Sequence, residues 1–236
     1  MEKSALIYVG LTVVTVLLGL CVHNGEYVPG YIRGGRRFGE LPGSDRQRAR
    51  NQVAVFAVFC LLAAVSACRI AVGNDYWVYW LNFQLIEQNR HVASEAGFNL
   101  LVRLFRSIFV GVRLQYLSIF AFFSITTVFF FVRALRDQAV CFAFSLYLLL
   151  TGGYYFNSLN SVRYYLALAV ALFSMKYVLR GDYGKFVLTI LAVALFHKSI
   201  LLVIPVYIAA ALLAKARLAV EQNAFMPAVS DTVHFK

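Results

Sequence analysis

Seven stretches of this chain are apolar for close to the length a helix needs to cross a bilayer. Nothing else in the sequence limits the fold as much. They are residues 4–22, 53–68, 114–132, 139–156, 164–178, 186–196 and 199–214. About 20 apolar residues cover a hydrocarbon layer of roughly 30 Å, with a lower limit near 17. Segment 4–22 is continuous, and Cys21-Val22-His23 at its end is no small-residue cleavage site, so it reads as a span and not a cleaved signal. Segment 53–68 is short but clean, and Arg69 ends it. Segment 139–156 is broken near its end by Gly152-Gly153, and Lys176 can snorkel at the end of 164–178. With 61% hydrophobic and 14% charged residues, against about 45–50% and 25% in soluble domains, a water-soluble core is excluded. The expected fold is all-α: a polytopic helical membrane protein with about seven transmembrane helices.

Residues 186–214 can be divided in two ways. One helix would be about 43 Å long, too long for an ordinary span, and would hold His197 and Lys198 near its middle. Two helices joined by a tight hairpin, with its tip below the outer membrane surface, fit better. The first is short unless residues 183–185 join it.

Charge orients the spans. Loop 23–50 holds Arg33, Arg36, Arg37, Arg46, Arg48 and Arg50 against Glu26, Glu40 and Asp45. Positive loops stay in the cytoplasm. Counting from there, Arg133 and Arg136, then Lys176, Arg180 and Lys185, then Lys215 and Arg217 also fall inside. Topology accounts for the net charge of +11, so nucleic acid is not an expected partner. The organisation expected is one transmembrane domain over 1–214, with a cytoplasmic Arg-rich loop 23–50, an outer loop 69–113, and a disordered cytoplasmic tail 215–236.

The same count gathers four polar segments on the outer face: 69–75, 90–113, 157–163 and 197–199. Residues 99–113 are interrupted by Arg103, Arg106 and Arg113, while Leu100, Leu101, Leu104, Phe105, Ile108 and Phe109 form one stripe. That pattern suits a helix lying in the interface. The run Tyr76-Trp77-Val78-Tyr79-Trp80 is either an aromatic belt or a platform for sugar rings. Cys21, Cys60, Cys68 and Cys141 lie in apolar stretches and read as buried free thiols. No metal-ligand spacing, Walker-type loop, GxSxG elbow or internal repeat is present, and Gly34-Gly35 follows no strand. No cofactor and no metal are expected.

Polar side chains at membrane depth are expensive and mark function. Asn157, Asn160 and Arg163 are spaced by three, which on a helix is one face. Arg163 either snorkels at the membrane edge or offers a planar fork to an anion at a helix start. His197 can titrate near neutral pH, and Lys198 and Ser199 stand beside it. Asp75 and Glu95 can each act as a general base or pair with Arg69 or Arg163; the sequence does not separate the two. Cations, amides and a carboxylate near aromatics at a membrane surface suit an amphiphile with an anionic head, such as a lipid-linked pyrophosphate sugar.

Four motifs then stand in order: Arg69-x-x-x-Gly73-x-Asp75-Tyr76, Glu95-x-Gly97-Phe98, Phe156-Asn157-x-x-Asn160-x-x-Arg163-Tyr164, and Leu195-Phe196-His197-Lys198-Ser199. Together, over residues 53–207, they resemble the EpsG family of Wzy-type bacterial polysaccharide polymerases. The third motif has Arg163-Tyr164 where the family more often has Arg-Gln, and the chain is short for the family, as a truncated or compact member would be. The resemblance implies a multi-pass enzyme of the bacterial inner membrane that joins undecaprenyl-pyrophosphate-linked repeat units into exopolysaccharide, capsule or O-antigen at the outer face. It implies catalytic roles for Asp75, Glu95, Arg163 and His197, and substrate contacts from Arg69, Tyr76, Asn157, Asn160, Lys198 and Ser199. Its partners would be the lipid-linked oligosaccharide, membrane lipids and other polysaccharide-assembly proteins. Two other readings use the same residues: a transporter or flippase-like binder of an anionic lipid-linked sugar, and a membrane acyltransferase working through Asn160 and His197.

Overall fold

The computed structural model describes residues 2–22, 45–73, 75–88, 90, 92, 94–109, 116–214, 216 and 217. Among them the secondary structure is helical and contains no strand. The helices are α1 (Glu2–Leu20), α2 (Asp45–Ala67), α3 (Tyr76–Glu87), α4 (Ala96–Ile108), α5 (Tyr116–Gln138), α6 (Phe142–Thr151), α7 (Tyr154–Asn157), α8 (Val162–Arg180) and α9 (Tyr183–Ala194). Last comes α10 (Lys198–Ala214), whose first turn, Lys198–Leu202, is 3-10.

Of these, α2, α5 and α8 are long and apolar enough to cross a membrane. Four shorter apolar helices lie in the other expected spans: Leu6–Leu20, Phe142–Thr151, Tyr183–Ala194 and Lys198–Ala214. Large apolar side chains point outward from many of these helices, among them Val13, Leu17, Phe56, Phe129, Leu148 and Leu188. A surface of this kind is matched to lipid and not to water.

α8 is the centre of the bundle. It packs on α5 along one side and α9 along another, while α2 lies on α5 and α1 on α6. Its buried positions are small or branched: Ala167, Ala169 and Ala171 are almost fully enclosed, as is Ser174. Small residues let backbones approach, which is what holds helices together where lipid removes the hydrophobic drive. α5 and α8 serve two cores at once. Phe120, Phe123, Leu166 and Val170 join the core with α3, α4 and α9; Phe131, Val132 and Ala169 join the core with α1, α2 and α6.

Several local expectations change. Residues 45–50 belong to α2 and not to a loop: Arg, Gln and Ala are good helix formers, and Asp45 in the first turn complements the helix dipole. The rest of that loop, Arg113, and the tail apart from residues 216 and 217 lie outside the described residues. Segment 69–113, expected on the outer face, contains two helices, α3 and α4, joined where Arg106 Nη1 donates to Glu87 O at 2.6 Å and so caps the end of α3. On α4 the apolar stripe is two ridges. Leu101 and Phe105 face the core, while Leu100, Leu104 and Ile108 point outward, each at least half exposed.

The four cysteines are free, but they are exposed and not buried. They sit on outward faces, and an apolar span gives no sign of which face that is. The 186–214 region does break into a hairpin, and residues 183–185 join its first helix. Gly153 breaks α6 from α7 with φ of +80°, a conformation glycine takes without strain.

Candidate functional site

The four polar segments meet at one end of the bundle, where the α9–α10 turn lies. Two backbone approaches bring them together. Gly73 has φ of +101°, and a Cβ there would run into the Leu159 carbonyl oxygen, with Asn160 Oδ1 3.0 Å away. Only glycine fits a left-handed position pressed so closely against another backbone. Gly97, in the first turn of α4, donates its N–H to Leu195 O at 2.9 Å. The unpaired donor at the start of one helix thus takes the unpaired acceptor at the end of another.

Side chains complete the joins. Asp75 precedes α3 and Ser161 precedes α8, and Ser161 Oγ donates to Asp75 Oδ2 at 2.8 Å. The carboxylate thereby lies near two helix N-termini, where negative charge is favoured. Glu95, at the start of α4, forms an ion pair with Arg163 Nη1 in the first turn of α8. That pair offsets the unfavourable placement of a cation at a helix N-terminus. Glu95 Oε1 also faces His197 Nδ1 at 3.9 Å. Both partners of the Arg163 pair are about one-fifth exposed, so the pair is shielded without being sealed.

The guanidinium of Arg163 is enclosed by aromatic faces. It lies 5.1 Å from the centre of Phe98 and 5.3 Å from that of Tyr79, and its Nε donates to the Tyr79 hydroxyl at 3.4 Å. Cation–π attraction to the two rings adds to the ion pair in holding it. Tyr164 meets the His197 imidazole edge-on at 5.5 Å. The loop before α4 is fixed from within, since Ser94 Oγ donates to Asn99 Oδ1 at 2.5 Å.

The remaining candidates fall at varying distances from this centre. Asn160 lies against Gly73. Asn157 does not share a helical face with Asn160 and Arg163: α7 ends at Asn157, a turn follows, and α8 begins at Val162. Its amide lies by Gly153 instead, and the side chain is exposed. Lys198 and Ser199 are exposed on the first turn of α10. Tyr76 is 2% exposed and stacks on Phe120 at 4.7 Å; it is a wall of the core. Arg69, just past the end of α2, is also enclosed, at 5% exposure.

Sequence reasoning missed Tyr79, Phe98 and Ser161. Tyr79 is one helical turn after Asp75, and Phe98 follows Gly97, so their neighbours marked them, but treating 76–80 as one aromatic run, belt or platform, hid the helical spacing.

A polytopic helical membrane protein with a charged, aromatic-walled site at one end of its bundle is the class these features define. A model of the EpsG family matches residues 52–220, from α2 through α10, and the chain belongs to the EpsG family. The family is one of membrane proteins of polysaccharide biosynthesis. No curated protein and no solved structure matches the chain.

Proposed function

We propose that this protein polymerises lipid-linked oligosaccharide repeat units, as a membrane glycosyltransferase acting at the outer face of the bacterial inner membrane. The observation that carries this reading is the meeting of Arg163, Glu95 and His197, from three elements distant in sequence, in a membrane protein of this family.

The reaction has an acceptor sugar hydroxyl attack the anomeric carbon of the growing chain. The new glycosidic C–O bond forms as the bond to undecaprenyl pyrophosphate breaks, and the pyrophosphate leaves with the electron pair. The hydroxyl proton needs a base. Glu95 is engaged by Arg163, so its free oxygen serves to orient His197 through Nδ1. Nε2 of His197 is then the nitrogen that takes the proton. Asp75, held by one hydroxyl, positions the loop that closes the site. Lys198 and Ser199, exposed beside the imidazole, meet the incoming head group.

The test is the length distribution of surface polysaccharide in the native host. Deletion should remove long chains and leave single lipid-linked repeats, restored by the wild type alone. Arg163→Ala should lower long-chain product by about 100-fold or more with protein level unchanged by immunoblot. Normal chain lengths after deletion would reject polymerisation and favour a transporter or an acyltransferase.

A further inference from the structure

Three contacts tie the start of α3 to the start of α8. Gly73 presses on the Leu159 carbonyl oxygen, Asp75 accepts from Ser161 Oγ, and the Tyr79 hydroxyl accepts from Arg163 Nε. Their partners 159, 161 and 163 follow one another at every second residue. The first two contacts fix a backbone turn and a loop. The third reaches a charged side chain of the site.

Tyr79 is itself firmly placed. Its N–H donates to Asp75 O at 3.1 Å, and the Tyr76 N–H donates to Gly73 O at 3.2 Å, so the turn at Gly73 sets where α3 begins. The residue is 7% exposed, and its ring is tilted against Phe98 at 5.8 Å and edge-on to Phe120 at 6.0 Å. A phenylalanine would fill the same space. The hydroxyl is the part that packing does not require.

Two cations act on that hydroxyl. Arg163 Nε donates to it at 3.4 Å, and the buried Arg69 interacts with it through its charge. Guanidinium groups donate and never accept. The phenolic oxygen therefore serves Arg163 as an acceptor, and its own proton points elsewhere.

The plane of a guanidinium needs two points to fix it. Glu95 holds Arg163 at Nη1. With that contact alone the group is free to swing about the ion pair. The Tyr79 hydroxyl at Nε is the second point. Nη2 is the nitrogen that neither contact holds, and its direction follows from the other two.

We propose that Tyr79 is a positioning residue, whose hydroxyl aims the guanidinium of Arg163 and so directs Nη2 at the group on which Arg163 acts. What that group is rests on the proposed function; the aim does not. Removing the hydroxyl leaves the cation, its ion pair and its aromatic neighbours in place, so attraction in the ground state remains. What is lost is direction toward charge that develops only in the transition state. Turnover is then affected, and binding is not.

The experiment uses the purified full chain in detergent, with the single lipid-linked repeat extracted from the deletion strain as substrate. Chain elongation is measured against substrate concentration for the wild type, Tyr79→Phe, Arg163→Lys and the double variant. In a second arm, without substrate, modification of Arg163 by phenylglyoxal is followed by mass spectrometry in the wild type and Tyr79→Phe. Tyr79→Phe should lower kcat about 10-fold, with KM within about 2-fold and Tm within about 4 °C of the wild type. Arg163 should be modified about 3-fold faster or more once its Nε is released. Lysine has no Nε–H to be held, so adding Tyr79→Phe to Arg163→Lys should lower kcat no further.

Four results would overturn the proposal: an unchanged kcat for Tyr79→Phe, a lower kcat with Arg163 modified at the wild-type rate, a loss in the double variant that adds in full to that of Arg163→Lys, or a Tyr79→Phe protein that fails to fold. A wild type that elongates nothing rejects the proposed function instead. The modification arm then still decides whether Tyr79 holds Arg163, so the two readings fail separately.

Discussion

Glu95 and Arg163 form an ion pair of which each partner is about one-fifth exposed. Removing one partner leaves the other charge shielded and unpaired. Glu95→Leu alone should therefore destabilise the protein by about 1–3 kcal/mol, whereas Glu95→Leu combined with Arg163→Met should recover much of that loss. Thermal unfolding of the singles and the double, as a double-mutant cycle, measures it. Additive effects would mean that the pair contributes nothing to folding. For His197 the expected separation is different. His197→Gln keeps a polar side chain of similar length at a partly exposed position, so polymer length should fall while the Tm stays within about 2 °C of the wild type. A parallel loss of stability would make the imidazole structural.

At the scale of elements, the site is a set of helix ends. The starts of α3, α4 and α8 and the turn between α9 and α10 all lie there. Helix ends carry unpaired backbone groups and fixed partial charges, which is why polar residues collect at them. The Gly73 turn is the tightest of the joins. Gly73→Ala places a methyl group against the Leu159 carbonyl at a φ that side chains rarely adopt. It should cost several kcal/mol or prevent accumulation of the protein, while Ala71→Gly in the same turn should be tolerated. Ala71 itself has φ of +54°, where glycine relieves strain. Expression and unfolding of the two variants check the pair.

On the scale of the whole molecule, the two cores shared by α5 and α8 make one bundle, and the charge pattern predicts its orientation in the membrane. Lys198→Cys, in a cysteine-free background, should react with an impermeant thiol reagent from outside the cell membrane, and Lys185→Cys only from the cytoplasm. The reverse pattern would invert the topology.

Much of this plan was legible. The Gly152-Gly153 break, the hairpin at His197 and the four polar segments each stood out because a polar or flexible residue inside an apolar run has few explanations. Other features were hidden for physical reasons. A helix in lipid can be apolar all round, so nothing in the sequence told which face Cys60 occupies. The start of α2 looks like a loop because its Arg-rich turns carry charge, although they are sound helix formers. Asn157, Asn160 and Arg163 kept helical spacing across a turn that no glycine or proline marks. That the buried guanidinium of Arg69 has no hydrogen-bond partner among the described residues was not visible at all, since a sequence lists charges but not the partners they lack.

The hydrogen bond from Gly97 to Leu195 runs from backbone to backbone, and Leu195 is exposed. At position 195 the join therefore depends on counting and not on side-chain identity, whereas position 97 has no room for a Cβ. Leu195 can be exchanged for Met or Phe with little effect, yet inserting one alanine into α9 would turn its last carbonyl by about 100° and part it from α4. Gly97→Pro would remove the donor from the other side. The join thus constrains the number of residues leading up to position 195 more tightly than the side chain placed there.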